Sequence, residues 1–181
     1  AIADLATVAA FYLLRPGEYT MGATTRRTRT VQFRRQDIRI WHQGRTLPHD
    51  APAHVLLQAD AATLTIDNQK NSQRGATIHH TACRDQTFCP VRALVRIILR
   101  VRQLSVDPCV PISLFAVDQH VTANEITKAI RVAAASTNLF RAGYTLDRSS
   151  AHSLRASGAM ALKLAGHDEA TIKKIGRWSS S

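Results

Sequence analysis

Residues 62–81 read ATLTIDNQKNSQRGATIHHT. Two short runs of β-type residues, Ala62 to Asp67 and Ala76 to Thr81, flank a polar stretch that ends in Gly75. Runs of that kind around a polar, glycine-containing tip predict an antiparallel hairpin. Lys70 falls on its tip. Upstream, Val31 to Trp41 alternates patchily and is rich in β-type residues, with Gly44 as a turn signal; this predicts a third strand. The segment from Leu47 to His54 contains Pro and is expected to be irregular.

Helical signals surround these strands. Residues 2–14 are almost wholly apolar or small and predict a buried helix stopping at Arg15-Pro16-Gly17, because a residue before Pro is steered away from helical angles. Glu18 and Tyr19 can begin a second short turn. Thr24 to Arg29 is polar and basic and is read as a loop. Pro90 suits the first position of a helix, and Val91 to Leu104 follows with Leu94, Ile97, Ile98 and Val101 on one side. Arg92, Arg96 and Arg100 fall on another side, and either solvent or DNA would suit that stripe. Thr122-Ala123-Asn124-Glu125 is a capping box opening a helix through Thr137, with Ile126, Ile130, Ala133 and Ala134 inward. His152 to Leu164 is a further helix ending near Gly166, and Asp168 caps a last one reaching Ile175 or Gly176. The expected fold class is α+β, mainly α, with a small three-stranded antiparallel sheet and hairpin, as one domain over residues 1–181.

Composition narrows the function. A hydrophobic content of 45% is enough for a core and argues against disorder. No apolar run reaches the ~18 residues of a membrane span. The chain opens without a secretory signal or an initiator Met, so it is expected to start inside a longer protein and to be intracellular, nuclear in a eukaryote and cytoplasmic in a prokaryote. Cys83, Cys89 and Cys109 are an odd set, read as reduced thiols. A zinc site from His79, His80, Cys83 and Cys89 departs from the usual ligand spacings, and no metal or cofactor is expected. The net charge of +11, with Lys and Arg at 24 and Asp and Glu at 13, points to a polyanion, most simply nucleic acid. Arg26, Arg27, Arg29, Arg34 and Arg35 are the candidate backbone contacts to DNA. An RNA-binding domain calls for stacking aromatics, and aromatic content is only 6%.

Three pieces carry chemistry. They are Leu14-Arg15-Pro16-Gly17-Glu18, then Lys70, then His152-Ser153-Leu154-Arg155 with Gly176-Arg177-Trp178. In this order they resemble the catalytic domain of the tyrosine recombinase, or phage integrase, family. One family box is a helix ending in Leu-Arg-x-x-Glu, matched by Leu14, Arg15 and Glu18. The other is His-x-x-Arg followed by Gly-x-Trp, matched by His152, Arg155, Gly176 and Trp178. A hairpin lysine between them is matched by Lys70. The stretch Phe88 to Leu94 is similar to integrase-like proteins of mobile elements.

The resemblance implies site-specific breaking and rejoining of double-stranded DNA through a phosphotyrosine, without ATP or metal. Arg15 and Arg155 would clamp the non-bridging phosphate oxygens, as preorganised cations do in phosphoryl transfer. Lys70 would be general acid to the leaving 5′ oxygen. His152 would act as acid or base near the tyrosine hydroxyl, and Trp178 would donate to the phosphate or pack over it. Glu18 would orient Arg15. The family's nucleophilic tyrosine lies beyond the Trp position, and the sequence stops at Ser181, so the nucleophile is expected outside this chain. Tyr12, Tyr19 and Tyr144 are read as packing residues. The family's N-terminal clamping domain is expected outside the chain too, and a tetramer on DNA is expected of the full-length protein. The alternative is a catalytically dead DNA-binding relic of a mobile element.

Overall fold

The first ordered element, α1 (Ile2–Phe11), buries Leu5, Val8 and Ala9 completely. It ends earlier than the apolar run suggests, because Leu13 turns into the left-handed region at φ 49°. Pro16 then starts the four-residue helix α2 (Pro16–Tyr19), where its missing N–H costs no helical bond. The computed structural model describes residues 1–22, 31–66, 75–137, 139, 143 and 145–178.

Among the described residues the sheet has four strands where three were expected. β1 (Ile38–His42), β2 (Arg45–Leu47), β3 (Ala61–Ile66) and β4 (Ala76–Thr81) lie in the order β2-β1-β3-β4, all antiparallel. The extra strand, β2, is three residues long, too short to show alternation, and it turns back from β1 through Gln43 and Gly44, both at positive φ. β1 is also shorter than the Val31–Trp41 run, because Arg35–Asp37 forms a 3-10 turn ahead of it. The expected hairpin is present as β3 and β4, paired from Ala61↔Thr81 to Ile66↔Ala76. Its tip, with Lys70, lies outside the described residues. β3 is central and buried along nearly its whole length, whereas β4 alternates as an edge strand. The polar Thr63 tolerates burial because Trp41 Nε1 donates to its hydroxyl at 2.9 Å and His79 Nδ1 lies 3.0 Å away.

A short helix, α3 (Ala53–Leu56), occupies part of the segment read as irregular. α4 (Pro90–Leu104) follows β4 and packs on β1, β3 and β4 as well as on α1. Its expected inward residues Leu94, Ile97, Ile98 and Val101 are all at 1% exposure or less. Two arginines of the α4 stripe, both partly exposed, reach the start of α1. Arg96 Nε holds Asp4 Oδ1 at 2.6 Å, Arg100 holds Asp4 at 3.5 Å, and Arg100 also donates to the Leu114 and Ile112 carbonyls. Arg96 and Arg100 therefore tie α4 to the start of α1.

A small second sheet, β5 (Leu114–Ala116) with β6 (Gln119–His120), precedes α5 (Ala123–Ser136). The capping box is present: Thr122 Oγ1 accepts from Glu125 N–H at 3.3 Å, and Glu125 accepts from Thr122 N–H at 2.7 Å. Ile126 and Ala134 of α5 are buried, but Ala133 is exposed, since the inward face of α5 is narrower than the apolar pattern. The last two helices are α6 (Ala151–Leu164) and α7 (Glu169–Gly176), the latter capped by Asp168 on Thr171 N–H at 2.8 Å. α1 lies against both α4 and α6, so its C-terminal end is carried to the meeting point of α2, α6 and α7. Among the described residues, no helix is long and apolar enough to cross a membrane.

Candidate functional site

Two helix ends build the site, and both use the same device. After α1, Leu13 adopts φ 49° and Leu14 N–H reaches back to the Ala9 carbonyl at 2.9 Å. After α7, Arg177 adopts φ 55° and Trp178 N–H reaches back to the Lys173 carbonyl at 3.0 Å. Both are Schellman-type closures, in which the left-handed position usually belongs to glycine. A bulky residue there costs about 1–2 kcal/mol. Strain of this kind at two converging chain ends marks a place where side-chain position outweighs local stability.

The strain aims specific groups. The Leu13 carbonyl accepts from Arg155 Nη1 at 2.8 Å and from Arg177 Nη2 at 3.3 Å. Arg177 Nη2 also meets Glu18 Oε2 at 2.8 Å, with both side chains at 2% exposure or less. Glu18 Oε2 further accepts the Arg15 backbone N–H at 2.8 Å, and its Oε1 lies 3.7 Å from Arg15 Nη1. Arg155 donates to the Gly176 carbonyl, and its guanidinium lies 4.7 Å from the centre of the Trp178 ring. That ring crosses Gly176 so closely that a methyl group there would collide with it. Gly176 thus serves the close approach of Trp178, and the left-handed cap falls to Arg177 instead.

Among the described residues, the guanidinium groups of Arg15, Arg155 and Arg177 gather around the carboxylate of Glu18. Burial first, and then the neighbouring Arg15 and Arg177, push the Arg155 pKa down to about 10, while Glu18 opposes the shift. Arg155 stays cationic at neutral pH, but at a cost that an anion would remove. Arg15 Nη1 is buried and has no hydrogen-bond partner among the described residues.

Of the sequence candidates, the structure brings Arg15, Glu18, Arg155 and Trp178 together. His152 stands exposed one turn before Arg155 on α6. The adjacent Ala151 carbonyl accepts from Tyr19 Oη at 3.3 Å, which sets this end of α6 against α2. Lys70, Arg26, Arg27 and Arg29 lie outside the described residues. Arg34 and Arg35 are engaged by their own chain. Arg34 pairs with Asp37 at 3.4 Å, and Arg35 Nη2 donates to the Val106 carbonyl at 2.6 Å. Tyr12 and Tyr19 are buried, as packing residues should be. A groove of about 480 Å³ opens beside Trp178 between β4 and α7, with Lys173, Lys174 and His79 on its walls.

Arg177 is the residue that sequence reasoning passed over. It was visible only as the middle of Gly-Arg-Trp, and nothing local announces that it reaches a glutamate 159 positions away. His79 and His80 do not gather with the cysteines as ligands. His80 Nε2 donates to the Phe11 carbonyl at 3.0 Å, and no group of three or more His, Cys, Asp or Glu among the described residues is placed to hold a metal ion. No protein-family model, curated protein or solved structure matches this chain.

Proposed function

We propose that this chain is the DNA strand-transfer domain of a tyrosine recombinase, acting on a duplex phosphodiester through a phosphotyrosine. The observation that carries the reading is the convergence of Arg15, Arg155 and Trp178 on one spot, backed by the buried Glu18–Arg177 pair. A site with clustered, partly buried guanidinium charge suits a phosphate, whose transfer depends on stabilising charge on its equatorial oxygens.

In this reading Arg15 and Arg155 hold the two non-bridging oxygens. Each preorganised donor contributes about 3 kcal/mol to the transition state, judged by the loss of single donors of that kind. Arg155 is fixed by the Leu13 and Gly176 carbonyls on one side and the Trp178 ring on the other, so it needs little reorganisation. Glu18 and Arg177 position the cluster and do not touch the phosphate. His152 stands ready to move the proton of the attacking hydroxyl, a role suited to an imidazole. Lys70, which falls between β3 and β4 in the sequence, would protonate the leaving oxygen. The sequence-independent contacts come from the net charge of +11.

Anisotropy titrations of a labelled DNA duplex over a range of salt concentrations test the DNA half. The logarithm of the affinity should fall linearly with log salt, with a slope of several units, as counterions are released. A flat response removes DNA as the ligand. The catalytic half is tested in a chain extended at its C-terminus to include the tyrosine. There R155K should lower covalent protein–DNA formation on a nicked duplex by about a hundredfold or more. A parental rate would end the assignment, and an extension without a tyrosine would favour the relic.

A further inference from the structure

Cys83 and Cys89 bracket the loop between β4 and α4, and the loop folds back so that the two meet. The Cys83 N–H points at Cys89 Sγ at 3.4 Å. Cys83 Sγ lies 3.5 Å from the Phe88 carbonyl, one residue from Cys89. The two residues differ in environment: Cys83 is exposed and Cys89 is buried. Cys89 is the N-cap residue of the fifteen-residue helix α4, so its sulfur sits at the start of that helix and accepts the Cys83 N–H.

We propose that Cys83 and Cys89 form a thiol–disulfide exchange site, in which Cys83 takes up a small disulfide such as oxidised glutathione and Cys89 resolves it. The exposed Cys83 thiolate attacks one glutathione sulfur. A protein–glutathione disulfide forms, the S–S bond of the reagent breaks, and one glutathione leaves as thiolate. Cys89 thiolate then attacks Cys83 Sγ, which breaks the mixed disulfide and releases the second glutathione. Two protein thiols are oxidised by two electrons, and one disulfide reagent is reduced to two thiols. Their two protons pass through solvent to the departing thiolates.

The division of labour follows from the surroundings. Burial disfavours the Cys89 thiolate, but the N–H groups of Arg92 and Cys83, the Cys83 thiol and the Val91 N–H outweigh it and hold its pKa below the usual thiol value. A thiolate stabilised at a helix N-terminus is a competent internal nucleophile even when outside reagents cannot reach it. Cys83 is held above the usual value, by desolvation first and then by its interaction with the Cys89 side chain. Its exposure makes it the entry point. The third cysteine, Cys109, is exposed and hydrogen-bonds Gln36 Oε1 at 3.3 Å, so it has no resolving thiol in these contacts.

The test treats folded protein with oxidised glutathione, traps free thiols with iodoacetamide and maps the peptides without reduction. The expected result is a Cys83–Cys89 link together with a lasting glutathione adduct on Cys109. In C89S the adduct on Cys83 should persist and exceed the wild-type level by about tenfold, since no resolving thiolate remains. C83S should leave Cys89 unmodified. Should C89S fold poorly, the wild-type protein decides alone, because Cys109 reports ordinary thiol reactivity in the same sample. A lasting adduct on Cys83 equal to that on Cys109, or reaction at Cys109 with none at Cys83, overturns the proposal. Neither result depends on DNA binding or strand transfer.

Discussion

Glu18 is the residue on which the candidate site turns. It is 1% exposed and meets Arg177 at 2.8 Å, while also accepting the Arg15 backbone N–H. Removing one member of a buried ion pair leaves the other as an uncompensated charge, which costs about 3–5 kcal/mol. E18Q is therefore expected to lower unfolding free energy by about that amount in urea denaturation, because three guanidinium groups would face a neutral amide. A loss below about 1 kcal/mol would show that the pair is dispensable and that the positioning argument fails. The geometry also explains why Arg177 accepts a left-handed backbone. A glycine would relieve the strain but could not reach Glu18.

The elements deliver these residues through their ends and their close approaches. α6 crosses α1 at Gly158, where a methyl group would collide with the Ala10 carbonyl and the Leu13 side chain. One of those contacts is backbone, which cannot swing aside. G158A is expected to destabilise the domain by about 1–3 kcal/mol through overpacking and to push Arg155 away from the Leu13 carbonyl. Thermal melts check the first effect; an unchanged Tm would mean that the helices separate at no cost. The Thr122 cap of α5 lies on the surface and should behave as an ordinary cap. T122A is expected to cost about 1 kcal/mol by the same melts, with duplex affinity unchanged. A loss of affinity there would tie α5 to the ligand surface.

At the scale of the whole molecule, half-buried histidines set the response to acid. His80 packs edge-on against the Phe11 and Tyr12 rings. Burial first, and then the neighbouring His79, lower its pKa against the opposing hydrogen bond to Phe11. His49 is lowered chiefly by burial as well. A histidine whose folded pKa is depressed binds its proton more readily in the unfolded chain. Its effect on stability is therefore nil above about pH 6.5, and stability is lost as pH falls from there through the folded pKa. Melting temperature should drop between about pH 7 and 5, and H80Q, which can still donate to the Phe11 carbonyl, should flatten part of the drop. A wild-type curve that stays level over that range would contradict the lowered pKa of the half-buried His80.

The strong periodic segments were legible before any coordinates. The β3–β4 hairpin, the start of α4 at Pro90, the Thr122 capping box and the Asp168 cap are written in neighbouring residues, and local hydrogen bonding and backbone restriction enforce them. The sequence also singled out Arg15, Glu18, Arg155 and Trp178, which the structure brings together. What neighbouring residues could not supply was anything settled by contact across the chain. The fourth strand β2 exists because β1 offers it an edge, and Arg96 and Arg100 of α4 find their partner in Asp4, roughly ninety positions earlier. Arg177 joins Glu18 only once two strained helix ends bring them together. Pairings of that kind are decided by burial and by satisfying charge in three dimensions, and a linear pattern carries no trace of them.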